Sequence, residues 1–351
     1  MLTKSLSRCV CAAVLVFAVP ASHAQQRLEA FADIVAGSGE TFNTNCGSTG
    51  PAPQLSFFTF GPQLLKPGGI AGCGYTGSLL TNIQNGGVGP LTNSNALSGV
   101  PLGGPVGPPG GIFDGTANSI ARYGSLGASA HANINSATGL PNNGAAMFEA
   151  VGAATFSDFI TASSPLVASN AAGFVRYKFA VDGIMSALGA PAPFFFGDTY
   201  MVLDLQQDGG AVSEVMNAHT TRGSTGLIRN QAPPAGWTAG VGSLTGGSTF
   251  FSLLIPMTWS APWNVKVGLL AWAYGTADAN FLSTAKISGV ELYDANRIAI
   301  TNFSLTAASG VDYLNVGATP PVVTPEPSTL LLGAMGLFAI GVARRARRAK
   351  V

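Results

Sequence analysis

The chain has 351 residues, only 9% of them charged, with 46 glycines and 22 prolines. Its net charge of +1 hides an uneven distribution, because Lys4, Arg8 and the five cations of Arg344–Lys350 leave 10 basic against 15 acidic residues in Gln25–Thr324. A body with a net charge near −5 lacks the cationic surface that neutralises a phosphate backbone, which argues against nucleic-acid binding. Few charges with many Gly, Ser, Thr and Asn also departs from the high-charge signature of disorder and suits short strands joined by turns.

Lys4 and Arg8 precede the apolar run Val10–Val19, and Ser22-His23-Ala24 puts small residues three and one before Gln25. A positive start, an apolar middle and a small-x-small end predict a secretory signal peptide over residues 1–24. Signal peptidase would cut between Ala24 and Gln25 after passage through the Sec translocon. Cys11 opens the apolar run instead of closing it, which disfavours a lipoprotein anchor.

Residues 25–111 read as a Gly/Pro-rich N-terminal region holding Cys46 and Cys73. In an oxidising compartment the two thiols are a disulfide candidate. The bond would close a loop of about 27 residues and stabilise by about 3 kcal/mol. Two unpaired buried thiols are the alternative. Two cysteines without a nearby histidine do not make a zinc set. The segment Ser94–Gly111 is dense in Pro and Gly and is expected to be a long loop or linker.

Residues 112–316 read as a body of strands. Ser119–Asn135 and Ala145–Phe159 supply two, rich in small residues. Phe174–Val181 alternates, with Val175, Tyr177, Phe179 and Val181 on one face and Arg176 and Lys178 on the other. Asp182-Gly183 then offers a hairpin turn. Further strands are expected at Thr199–Leu205, Phe250–Ile255, Val265–Tyr274, Ala285–Tyr293 and Ile298–Leu305, with turns at Asp208-Gly209-Gly210 and Asp294-Ala295-Asn296. The fold class is all-β, an antiparallel β-sandwich of jelly-roll-like arrangement. No helix is expected outside the two ends.

The body shows no catalytic cluster. His131 and His219 have no partner at ligand spacing, and His219 sits in a polar stretch, Asn217–Arg222, that reads as an exposed loop. Neither a nucleophile elbow nor a phosphate loop is present. Asp198, Asp204, Asp208 and Glu214 are the densest acidic group. Glycosidase carboxylates, a structural calcium site or solvated strand ends each account for them, although Asp204-x-x-x-Asp208-Gly209 departs from calcium-loop spacing. No cofactor and no metal site are expected. Trp259 and Trp263, in Trp259-Ser260-Ala261-Pro262-Trp263, would stack on sugar rings if exposed and would fill the core if not.

At the C-terminus, Pro320, Pro321, Pro325 and Pro327 make residues 317–328 an extended spacer. Thr329–Ala343 is uncharged and is expected to form a single transmembrane helix. Its 15 residues would span about 22 Å, short of the roughly 30 Å hydrocarbon core, so snorkelling and thinning must cover the gap. Arg344, Arg345, Arg347 and Arg348 in the 344–351 tail form a membrane-stop cluster held in the cytoplasm, with the body on the far side.

Pro325-Glu326-Pro327-Ser328, the apolar span and the arginine run together resemble the PEP-CTERM sorting domain, a motif also named the ice-binding protein C-terminal domain. The resemblance implies recognition of the Pro-Glu-Pro segment by exosortase, a membrane-embedded transpeptidase of Gram-negative bacteria found with exopolysaccharide genes. It also implies removal of the helix and tail. Ala121–Ser129, Ala154–Asp158 and Ala307–Tyr313 are similar to segments in the bodies of other such proteins.

The expected protein is an exported, inner-membrane-tethered precursor facing the periplasm, then a noncatalytic component of the cell surface or exopolysaccharide matrix. It would contact the inner membrane transiently. A carbohydrate-binding module for the cell's own exopolysaccharide is the second reading. A secreted polysaccharide-degrading enzyme is the third.

Overall fold

A computed structural model describes residues 26–38, 57–58, 75–87, 89–101, 112–135, 146–187, 197–221, 225–227 and 241–316. The expected signal peptide, the Cys46–Cys73 pair, the spacer and the transmembrane helix all lie outside these residues. The described residues contain no helix, and so none long and apolar enough to cross a membrane.

Among the described residues, sixteen strands form two antiparallel sheets. The first sheet takes β1 (Arg27–Ser38), β2 (Tyr75–Asn85), β6 (Ala146–Ser163), β8 (Asp198–Gln207), β9 (Ser213–Thr221), β10 (Thr225–Leu227) and β13 (Pro262–Tyr274). Their order is β10-β9-β8-β13-β6-β1-β2, and β16 (Ser304–Ala307) also pairs with β6. The second sheet takes β3 (Leu91–Pro101), β4 (Ile112–Arg122), β5 (Ser125–Asn135), β7 (Ala172–Ala187), β11 (Val241–Phe251) and β14 (Ala277–Asp294). Its order is β11-β7-β14-β5-β4-β3, with β12 (Ile255–Thr258) on β7 and β15 (Ala299–Ile300) on β14.

The two sheets stack through one apolar layer, which makes the body a sandwich. The layer is built largely from alanine where β1 and β6 face β4 and β5: Ala30, Ala32, Ala150 and Ala154 against Ala117, Ala121, Ala128 and Ala130, all wholly buried. Small side chains let the backbones approach. A Cβ on Gly152 would lie 2.3 Å from the Asn118 carbonyl oxygen and 2.4 Å from that of Ser129. Bulkier residues fill the other end, where Tyr177, Phe179, Phe281 and Trp259 are buried.

The first sheet is also covered on its outer face. Phe57 and Phe58 pack there on Phe31, Val151, Val202, Leu270 and Trp272. Burial on both faces removes the alternation that a half-exposed strand shows, and β13 is buried continuously from Val267 to Ala273.

Several expected elements are placed differently. Asp182-Gly183 is not a turn, because β7 runs on to Ala187. Gly183 serves packing instead: a Cβ there would stand 2.1 Å from a ring carbon of Phe281. Ser119–Asn135 holds a hairpin of two strands, turning at Tyr123-Gly124 with Gly124 at φ 77°. Phe250–Ile255 divides between β11 and β12, and Ile298–Leu305 between β15 and β16.

Ser94–Gly111 is strand as far as Pro101, since Leu91–Leu97 pairs residue for residue with Gly115–Ala121. The Pro and Gly density of the segment's later part masked that pattern. From the N-terminal region, β1 enters the first sheet, paired with β2 on one side and β6 on the other.

Candidate functional site

Strand pairing assembles an acidic surface that the sequence disperses. Side chains on alternate positions of β1, β6, β8, β9 and β13 point to the outer face of the first sheet. Register brings Glu29 opposite Thr155, Asp33 opposite Val151, Glu149 opposite Tyr274, and Asp204 opposite Glu214. Six carboxylates share this face: Glu29, Asp33, Glu149, Asp198, Asp204 and Glu214. The sequence identified Asp198, Asp204 and Glu214 but missed the three on β1 and β6. A Glu-x-x-x-Asp pattern on an alternating strand at Arg27–Ser38 was the available signal.

Each described group has its own setting. Glu29 accepts the Thr155 hydroxyl at 2.6 Å and pairs with Arg27 at 2.6 Å and Lys266 at 3.3 Å. The Trp272 indole donates to Glu149 at 2.9 Å. Asp33 is wholly buried, and neither of its side-chain oxygens has a hydrogen-bond partner. Burial, and then the charge of Glu149, push its pKa up from 3.8 to about 8. Burial thus favours its neutral, protonated form.

A second group lies at the edge. His219 is not in an exposed loop: it lies in β9 opposite Tyr200. Its imidazole stacks on the Tyr200 ring with centroids 3.9 Å apart, and its Nε2 lies 2.6 Å from Asp198 Oδ1. Asn217–Thr221 reads as polar, yet its alternate members Ala218 and Thr220 face the interior.

Asp208 stands apart from this surface. It occupies the turn between β8 and β9 with φ 49°, and its Oδ1 accepts the Asn264 amide at 2.7 Å. Asp204 and Asp208 thus do not form a facing pair. Asp33 feels the charge of Glu149, but both are buried together with Glu29 and Asp204. Phe57 and Phe58 cap this face, and a Cβ on Gly268 would strike both rings. Among the described residues, no three His, Cys, Asp or Glu side chains converge as a metal set.

Trp259 and Trp263 are buried, at 0% and 3% exposure, and offer no free face to a sugar ring. The loop between β12 and β13 does turn at Ser260, with φ 61°. Both indoles nevertheless point inward. Gly173 leaves room for Trp259, since a Cβ there would lie 2.4 Å from its Nε1, and Trp263 donates to the Tyr177 hydroxyl at 2.7 Å.

The chain leaves the sandwich toward its C-terminus through a buried clasp. Asp158 on β6 is wholly buried and accepts the Ser309 amide at 3.1 Å, the Ser309 hydroxyl at 2.5 Å and the Tyr313 hydroxyl at 2.7 Å. Burial raises the Asp158 pKa against the opposing pull of these donors. Val316, the last described residue, packs beside Gly124.

Beyond the clasp lie the sorting residues Pro325, Glu326, Pro327 and Ser328 and the cluster Arg344, Arg345, Arg347 and Arg348, all outside the described residues. Residues 323–348 match the family model of the PEP-CTERM protein-sorting motif. The chain carries a PEP-CTERM sorting motif. The motif implies an exported protein with exosortase as its processing partner. The match covers the tail alone. No curated protein and no solved structure matches the chain.

Proposed function

We propose that this PEP-CTERM protein is a noncatalytic structural component of the cell surface or exopolysaccharide matrix. It is held at the inner membrane with its body in the periplasm until exosortase removes the tail. The sorting motif at residues 323–348 carries this reading. A proline-rich spacer joins it to a sandwich whose last described segment is clasped on Asp158, so the folded body travels as cargo of the tail.

The buried state of the acidic face supports a noncatalytic body. An acid–base pair acts on a substrate only within hydrogen-bond reach of it, and Asp33 and Glu149 are 0% and 2% exposed. The test is to incubate the processed protein with extracellular polysaccharide from its own cells and to measure reducing ends and co-sedimentation. Co-sedimentation without new reducing ends is expected. Release of reducing ends that disappears in Asp33→Asn or Asp204→Asn would make the body a polysaccharide-degrading enzyme and overturn the proposal.

A further inference from the structure

The outer face of the second sheet gathers cations at one end, whereas Asp114 and Asp278 lie toward its other end. Arg122 on β4, Arg176 and Lys178 on β7 and Lys286 on β14 project from it, because their neighbours Ala121, Val175, Tyr177, Val181, Ala285 and Ile287 are buried on the inner face. Arg297 lies beside them in the turn after β14. Half of the body's 10 basic residues therefore gather at one end of one face.

Cross-strand register sets their spacing. Arg122 lies opposite Ser125, Ser125 opposite Lys286, and Lys286 opposite Ala180, which makes one row across four strands. Lys178 lies in the next row, opposite Phe251, and Arg176 in the row beyond, opposite Glu291. Rows are about 7 Å apart along a strand and strands about 4.8 Å apart, so the cations track a path on the order of 20 Å long. Asp182, Glu291 and Asp294 are the described carboxylates at this end, Asp182 lying one outward position beyond Ala180 on β7. Glu291 is engaged by Arg176 and the Tyr293 hydroxyl, and Asp294 accepts the amides of Asn296 and Ile298. Arg176 forms an ion pair with Glu291, and Lys178 adds its charge to the same carboxylate.

Aromatic rings are interleaved with the cations. The Arg176 guanidinium lies 4.9 Å from the Phe251 centroid and 5.7 Å from that of Tyr293, and Arg297 lies 5.4 Å from that of Phe174. Phe251 is 42% exposed, and Leu253 beside it 61%.

We infer that this face is a binding surface for a linear acidic polysaccharide. Ring carboxylates of the polymer would meet Arg122, Lys178 and Lys286, and its apolar C–H faces would lie on Phe251 and Tyr293. This rests on the matrix reading above and names the charge class of the polymer. A flat strand surface with cations beside exposed rings matches a chain of anionic pyranoses. A body of net charge near −5 is a poor match for the denser charge of nucleic acid. A second copy of this chain would offer its acidic face, but four of the six carboxylates there are buried.

The test is titration of the full chain in detergent with polygalacturonate oligomers, and with neutral dextran oligomers of equal length. Lys178→Gln with Lys286→Gln removes two cations of this face, and Phe251→Ser removes the exposed ring. Every variant keeps the arginine tail, so the difference between variants isolates the face. Polygalacturonate is expected to bind in a salt-sensitive way, weakened about tenfold by the lysine pair of substitutions at unchanged Tm, the order expected for two partly exposed charge contacts. Phe251→Ser should weaken it as well, and dextran should not bind. Equal binding by the lysine variant, or equal binding of dextran, would overturn the assignment. So would oligomerisation of the wild type that the same lysine substitutions abolish without changing polygalacturonate binding. Failure of tail processing would leave this measurement untouched, so the two readings fail separately.

Discussion

Single residues show how much of this sandwich's stability depends on buried polar groups having the right protonation or partners. Asp33 keeps its proton in the folded chain up to about pH 8, whereas its ordinary value is 3.8. Its contribution is therefore fully present below about pH 4 and is lost as the pH rises to about 8, because the unfolded chain releases the proton first. Each unit corresponds to about 1.4 kcal/mol. The wild-type Tm is expected to fall more steeply across that window than the Tm of Asp33→Asn, which mimics the neutral acid. Parallel profiles would contradict the account of Asp33. At the clasp, Tyr313→Phe withdraws one donor from Asp158 and is expected to cost about 1–3 kcal/mol in chemical denaturation. A loss below about 0.3 kcal/mol would show that the clasp carries little. Neither Asp33 nor Asp158 stood out in the sequence as a buried acid. Each lies in an alternating strand, and only pairing reveals which neighbours surround it.

Elements were legible where a one-sided alternation or a continuous apolar run marks the strand, and obscured where small residues carry little contrast. Val175, Tyr177, Phe179 and Val181 announce β7 because their outward neighbours are polar. β13, buried on both faces, was legible instead as the apolar run Val265–Tyr274, whereas the small residues of β4 and β5 read as one strand and β1 follows directly on the expected signal-peptide site. Glycine was misread for the same reason. Asp182-Gly183 is turn chemistry in isolation, but Gly183 is a strand residue that makes room for Phe281. Gly152 does the same between the sheets, where alanine would meet backbone carbonyls that cannot rotate away. Gly152→Ala is expected to destabilise by about 1–3 kcal/mol through overpacking. Gly209→Ala adds a Cβ that meets nothing within 4 Å, although φ 68° strains it, and should cost only about 1 kcal/mol. A larger loss at Gly209 than at Gly152 would refute the close approach of the sheets.

At the scale of the whole molecule, the tail was the readable part. The Pro-Glu-Pro segment, the apolar span and the arginine run act locally, so the sorting motif needs no fold to be recognised. Charge segregation on the body was not readable. Ten cations against 15 carboxylates look sparse along the chain, and only the register of β4, β5, β14 and β7 gathers half of the cations on one face. The Trp259–Trp263 loop left the direction of its rings open, since a turn between strands does not fix which way its side chains point, and the structure places both in the core. Placing polymer binding on the second sheet leaves the acidic face of the first as internal structure beneath Phe57 and Phe58. The central claim is that the sandwich is cargo sorted through its tail. The most direct measurement is the intact mass of the surface-released protein, compared for wild type, Glu326→Ala and Pro327→Ala. The wild type is expected to have lost everything beyond the Pro-Glu-Pro segment, while each variant stays in the inner membrane at the mass of the unprocessed precursor. Release of either variant with the same C-terminus as the wild type would contradict the account.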